Sequence, residues 1–325
     1  MTTASNNLAG ARLAESRIPG TGCEPLPPLW MAQSSHLASA DATIAPHLGL
    51  RPGCGARNMK RIFLQLVILF PLTGTCPHSV AQASARLPLK SAPEYTYAVV
   101  HVFPHDNSAF TQGLAYRDGF LYEGTGRNGQ SSLRKVRLET GEVVQQAALD
   151  PEYFGEGIAL VGNKILQLTW KSQTGFVYDL NTFRLLRRFS YSGEGWGLAS
   201  NGHDVYLSDG SSEIRVLDSD SLQERRRIKV HDGPAPVDQL NELEFVEGQI
   251  FSNVWHSSRI ARISPQTGEV VGWIDLTGLP SSVYHLEPEA VLNGIAYDPI
   301  HKRLFITGKL WPSVFEVKLS PKSAR

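Results

Sequence analysis

Beyond residue 83 the chain has no cysteine: its three, Cys23, Cys54 and Cys76, all precede that point. The body can therefore form no disulfide and offers no thiol nucleophile or thiolate metal site, so packing and hydrogen bonds must hold it together. Charge of one sign is also scarce. Of the 31 Lys/Arg and 31 Asp/Glu, six and three fall in the first 83 residues, leaving 25 basic and 28 acidic side chains for the rest. A near-neutral, slightly acidic body lacks the electrostatic footprint of a nucleic-acid binder. The basic run Arg225-Arg226-Arg227 lies in a strand-like stretch and reads as a solvated outer strand. Familiar catalytic signatures are missing too: there is no G-x-S-x-G, Walker A or H-E-x-x-H, and no dinucleotide fingerprint in a strand–turn–helix setting. His101, His105, His203, His256, His285 and His301 show no metal-ligand spacing and read as structural or surface residues. Glu287 and Glu289, flanking Pro288, could hold a cation, with loop solvation as the blander reading.

The apolar run Ile62–Phe70 is too short for a permanent membrane span. Met59-Lys60-Arg61 before it, the breakers Pro71, Thr73 and Gly74, and Ala81-Gln82-Ala83 after it make a secretory signal peptide over 59–83. Thr73-Gly74-Thr75 is a poor lipobox for Cys76. Residues 1–58 are rich in Ala, Ser, Gly and Pro without sustained periodicity. They read as an unstructured, over-extended gene start, with translation expected at Met59 and a mature chain from near Ser84. Export to the periplasm or medium is expected, with no membrane attachment after cleavage.

What the body does contain is a phrase written five times. Gln112-Gly113-Leu114-Ala115 recurs as Glu156-Gly157-Ile158-Ala159, Trp196-Gly197-Leu198-Ala199, Asn241-Glu242-Leu243-Glu244 and Asn293-Gly294-Ile295-Ala296. Its second residue falls at 113, 157, 197, 242 and 294, spacings of 44, 40, 45 and 52. A period of about 40–50 residues built from short strands points to a propeller with one four-stranded sheet per repeat. In the first four repeats a turn follows the phrase: Asp118-Gly119, Gly162-Asn163, Asn201-Gly202 and Glu247-Gly248. Alternating strands such as Leu133–Leu138 and Phe176–Leu180 come next. The fifth repeat ends after its third strand, Val314–Leu319, while a spare strand, Tyr95–Phe103, precedes the first. The expected fold is all-β: a five-bladed β-propeller over 88–321, closed by that N-terminal strand completing the last blade.

In a propeller the first strand of each blade lines the central channel. The varying residue before the second position of the phrase, namely Gln112, Glu156, Trp196, Asn241 or Asn293, should then point into the channel mouth. A second register lies thirteen residues after that second position: Gly126, Trp170, Gly210 and Trp255, with Lys309 the fifth member after a two-residue insertion. Together the registers gather one carboxylate, one ammonium, several amides and an aromatic wall, a composition suited to a small polar ligand. The bland alternative is that such tryptophans are core. Trp273 reads as packing, and Trp311 is open to either reading.

Seven ordered motifs then carry a resemblance. They are Phe110-Thr111-Gln112-Gly113-Leu114, Phe154-Gly155-Glu156-Gly157, Thr169-Trp170, Gly195-Trp196-Gly197-Leu198, Leu240-Asn241-Glu242-Leu243-Glu244, Asn253-Val254-Trp255 and Thr307-Gly308-Lys309-Leu310-Trp311-Pro312. Over about 94–319 the chain resembles the plant/bacterial (papaya-type) glutaminyl-peptide cyclotransferases. The resemblance implies a five-bladed propeller enzyme that converts the N-terminal glutamine of peptides or proteins to pyroglutamate and releases ammonia. It implies no zinc-dependent α/β fold and no catalytic metal, though a structural cation is left open.

On that footing Glu156, the one acidic residue among the varying positions, is the expected acid/base, its proton affinity raised by partial burial. Gln112, Asn241 and Lys309 are expected to donate to the oxyanion and substrate carbonyls. Phe110, Trp170, Trp196, Trp255 and Asn293 are expected to bind substrate, the last on repeat register only. A monomer is expected. The rival readings are a non-catalytic peptide- or sugar-binding propeller and a metal-dependent lactonase-like propeller.

Overall fold

The computed structural model describes residues 91–279 and 287–323. The leader assigned to 59–83, the segment 1–58 and the start of the expected 88–321 domain lie outside them. Every helix or strand among the described residues is a strand. Three four-stranded antiparallel sheets follow one another in simple up-and-down order. The first holds Thr111–Arg117, Phe120–Thr125, Ser132–Arg137 and Val143–Ala148. The second holds Gly155–Val161, Lys164–Thr169, Thr174–Asp179 and Leu185–Ser190. The third holds Leu198–Ser200, Asp204–Leu207, Glu213–Asp218 and Glu224–Lys229.

The remaining long strands form one eight-stranded sheet. One half runs Leu240–Val246, Gln249–Val254, Arg259–Ile263, Val270–Asp275; the other runs Leu292–Asp298, Arg303–Gly308, Ser313–Pro321. Between them lies Glu94–Pro104, antiparallel to Ser313–Pro321 along its length. It pairs with Val270–Asp275 only through Glu94 and Tyr95.

The turn chemistry explains the tight hairpins. Asp118-Gly119 and Glu247-Gly248 have φ of 52 and 82° and of 46 and 85°, the paired positive angles that two-residue connections need to match strand twist. Apolar alternation then gives each sheet two greasy faces. Leu133 and Tyr122 of the first sheet pack on Ile158, Ile165 and Phe176 of the second. Leu166 and Val177 of the second pack on Val205 and Leu207 of the third. The third packs through Tyr206 and Val216 on Leu243 and Ile250. Phe251 and Ile260 meet Ile295 and Ile306, and Ala296 and Phe305 return to Leu114 and Leu121. The opening strands therefore form a closed cycle of neighbours, from Thr111–Arg117 through Gly155–Val161, Leu198–Ser200, Leu240–Val246 and Leu292–Asp298 back to the start. Their approach is close: a Cβ on Gly157 would lie 2.6 Å from the Cα of Gly197, which is why the phrase repeats glycine.

The fourth phrase departs from that rule. Glu242 is fully buried, and its carboxylate reaches two other opening strands. It accepts the N–H of Leu114 at 3.2 Å and that of Ile295 at 2.9 Å. The Arg225–Arg227 run lies in the outermost strand of the third sheet, exposed, and pairs with Asp204, Asp218, Glu213 and Glu224.

Candidate active site

The varying residues sit where the ladders break. Pairing register shifts between Thr111 and Gly113, Gly155 and Ile158, Leu240 and Leu243, and Leu292 and Ile295. Such bulges re-aim a side chain out of the regular pleat, and each of these breaks contains Gln112, Glu156, Asn241 or Asn293. Trp196 stands just ahead of its short strand. The second register is tied to the same end. The N–H groups of Gly126, Trp170, Trp255 and Lys309 bond to the carbonyls of Phe110, Phe154, Gln239 and Val291. Each acceptor lies two residues before a varying position, so the two registers share one end of the cycle.

The polar centre is a directed chain of amides. Asn293 Nδ2 donates to Thr111 O at 2.9 Å and to Gln112 Oε1 at 3.2 Å. That fixes the Gln112 amide so that its Nε2 donates to Glu156 Oε1 at 3.1 Å. Glu156 is only 5% exposed. Burial pushes its carboxyl well above the ordinary range; the positive charge of Lys309 opposes this and the negative charge of Glu194 adds to it. Lys309 is likewise 5% exposed, and its ammonium lies over the Phe110 ring at 4.7 Å. Burial lowers its proton affinity, against the pull of Glu156 and Glu289. Arg127 stacks on the same ring at 4.6 Å and pairs with Glu287 at 3.1 Å, so Glu287 takes part in an exposed ion pair.

Aromatic rings surround this centre. Phe154 stands edge-on between Phe110, 6.1 Å away, and Trp170, 5.7 Å away. Trp196 and Trp255 meet edge to face at 5.5 Å. The glycines of the second register make room for these rings. A Cβ on Gly126 would meet Phe154 at 2.4 Å, and one on Gly210, at φ +82°, would meet Trp196 at 2.7 Å. Trp255 Nε1 is buried without a hydrogen-bond partner among the described residues. All nine residues expected from the sequence thus lie at this end or directly behind it.

Three participants were not anticipated as such. Phe154 supplies a ring, and Glu194 accepts the indole N–H groups of both Trp170 and Trp196. Both occupy the position two before a varying residue, as Phe110 does, so repeat register was the signal that could have found them. The third is His105, buried between Trp311 O at 2.6 Å and Glu123 at 3.0 Å. Thr111 also donates to Glu123, at 2.7 Å. This network braces the start of the Gln112 strand against the segment after Lys309. Trp311 is buried with its Nε1 on Ala290 O, and Trp273 packs with its Nε1 on Asp232. Both are structural.

A family model described as glutamine cyclotransferase matches residues 69–319. The chain belongs to that family. A curated glutaminyl-peptide cyclotransferase from Arabidopsis thaliana is 42% identical over 231 residues, 70% of this chain and 72% of that protein. The crystal structure of Myxococcus xanthus glutaminyl cyclase is 38% identical with a TM-score of 0.68, covering 71% of this chain and 100% of that one. Among the described residues, no group of three or more His, Cys, Asp or Glu side chains is arranged to hold a metal ion. A separate cavity of about 310 Å³, lined by Ala115, Ala159, Ala199 and Glu244, contains none of the residues discussed for the family's reaction.

Proposed function

We propose that this chain is a glutaminyl-peptide cyclotransferase that cyclises the N-terminal glutamine of peptides and proteins. The α-amine attacks the γ-carboxamide carbon, the new C–N bond closes a five-membered ring, and the old amide nitrogen leaves as ammonia. The observation that carries the site assignment is Glu156: a buried carboxyl, oriented by Gln112, beside a buried lysine within a wall of tryptophans. Glu156 takes a proton from the attacking amine and returns one to the leaving nitrogen, a shuttle favoured by a proton affinity that burial raises well above the ordinary carboxyl range. Lys309, Gln112 and the Asn241 amide supply donors for the developing oxyanion and the substrate carbonyls. Phe110, Trp170, Trp196 and Trp255 grip the glutaminyl stem in a near-attack arrangement and exclude water. Asn293, expected against substrate, has its Nδ2 bonded to Thr111 and Gln112 and acts as the group that orients Gln112.

The same reading takes the fold as a five-bladed propeller in which the eight-stranded sheet counts as two blades. It is supported by the closed cycle of opening strands and by Glu94–Pro104 lying between the two halves. We also read the enzyme as metal-independent, monomeric and exported through the 59–83 leader. Mass analysis of the native N-terminus, size-exclusion with light scattering and a chelator arm in the assay test these points.

The deciding experiment is ammonia release from a Gln-initiated peptide by wild type and Glu156→Gln. The amide is nearly isosteric and its oxygen can still accept from Gln112, so folding should hold while turnover falls roughly 10²–10⁴-fold. A folded variant within tenfold of wild type would overturn the assignment.

A further inference from the structure

Trp170 belongs to the second sheet's edge of the site and Trp196 to the approach to the third. What joins their side chains is a single carboxylate oxygen. Glu194 Oε2 accepts the Trp170 indole N–H at 2.7 Å and the Trp196 indole N–H at 2.9 Å. The other oxygen lies 3.8 Å from Lys171 Nζ, which itself caps the Trp170 ring at 3.9 Å. The segment bearing Glu194 is built rather than loose. Arg215, 2% exposed, donates to the carbonyls of Ser192 and Glu194 and to Asp209. Gly195 N–H bonds to Trp170 O at 3.0 Å. A long side chain held at its backbone, with both indoles on one oxygen, has little freedom left.

We propose that Glu194 is a positioning residue for cyclisation: it locks Trp170 and Trp196 in the relative orientation that grips the N-terminal residue. The proposal rests on the site being the one assigned above. Without the carboxylate, each indole loses its charged acceptor and can turn about its side-chain torsions. The wall would then widen where the glutaminyl stem must be held. Glu194 also bears on Glu156 through space, alongside Lys309, and Tyr191 is close enough to feel the Glu156 charge. Removing only the charge of Glu194 should therefore ease proton loss from Glu156 and leave the indoles in place.

Two variants separate these effects. Glu194→Ala removes both hydrogen bonds, and KM for a Gln-initiated peptide should rise about tenfold or more with a changed near-UV circular dichroism. Glu194→Gln keeps an oxygen that can accept both indole N–H groups. Its KM should stay within about threefold, while the limb of the kcat/KM–pH profile that belongs to Glu156 moves to lower pH. Wild-type KM and near-UV signal in Glu194→Ala would overturn the proposal. So would a KM rise in Glu194→Gln equal to that in Glu194→Ala, since charge rather than indole anchoring would then carry the effect. Glu156→Gln runs beside them. If that variant is inactive while Glu194→Ala is normal, only the positioning role fails; if it turns over normally, the site assignment itself has failed.

Discussion

Replacing Glu242 by glycine would restore the phrase that the other four repeats carry, and by repeat logic alone it should be harmless. The structure predicts the opposite. The Glu242 carboxylate is the acceptor for two buried backbone N–H groups, those of Leu114 at 3.2 Å and Ile295 at 2.9 Å. Neither N–H gains a replacement from a glycine. Each buried donor left without a partner costs about 1–3 kcal/mol, so the pair amounts to roughly 2–6 kcal/mol. Glycine adds about 0.5–1 kcal/mol in backbone entropy relative to alanine. Opposing this, the substitution relieves the burial of a carboxyl whose proton affinity is driven well up by desolvation and by Glu244.

Which effect wins depends on pH, and that gives the experiment its discrimination. The folded chain holds the Glu242 proton more tightly than the unfolded chain does. The wild-type advantage is therefore fully present below the unfolded carboxyl value and is lost as pH rises through the higher folded one. Urea unfolding followed by tryptophan fluorescence should show Glu242→Gly destabilised by several kcal/mol at pH 5, by less at pH 8, with the m-value unchanged. For a domain of this size that is a fall in Tm of roughly 4 °C or more. Glu242→Gln, whose amide oxygen retains one of the two bonds, should fall between. A glycine variant within about 0.5 kcal/mol of wild type at pH 5, the range of an indifferent surface change, would refute the reasoning.

Lys309→Met removes the cation that opposes burial at Glu156, so the Glu156 limb of the pH profile should move to higher pH and kcat should fall about 10²–10³-fold; an unmoved limb would separate the two residues. Trp255→Phe deletes a buried indole N–H that has no partner among the described residues. Thermal stability should hold or rise, while KM rises several-fold if substrate is what that donor serves. Stability should peak near pH 5 in a thermal scan from pH 3 to 9. The folded state binds the Glu156 and Glu242 protons more tightly, so their contribution declines above about 4.5, and that of His105, also raised, is lost through and above its own range. Asp106, Asp218 and Asp275, lowered to about 2, and buried Glu123, also lowered, lose their contribution as pH falls toward and below their unfolded values. A maximum at pH 8 or above would contradict this balance.

The repeated phrase made the all-β cycle of opening strands legible because one physical demand, their close approach, puts glycine at the same place in four of the five copies. The grouping of the candidate residues was legible for a related reason: four of the five varying positions sit in a ladder break, free of the core's demand for apolar filling. Two kinds of information were hidden. Exposure is one: nothing in the sequence distinguishes His105, buried against Glu123 and Trp311, from His203 on the surface. The other is reach. Glu242 looks like a lapse in the repeat because the phrase is read one strand at a time. Its hydrogen bonds run to strands 128 and 53 residues away, a distance no local pattern encodes. Glu194 was missed for a narrower reason: repeat register marks its position, but its side chain serves two tryptophans that flank different sheets, and that role shows only where they meet. The position two before each varying residue carries Phe110, Phe154 and Glu194 in the first three repeats. Its backbone carbonyl ties down the second register in four of the five. A departure from the repeat is therefore best weighed by what the departing side chain can reach across the cycle, which is the comparison that Glu242→Gly puts to measurement.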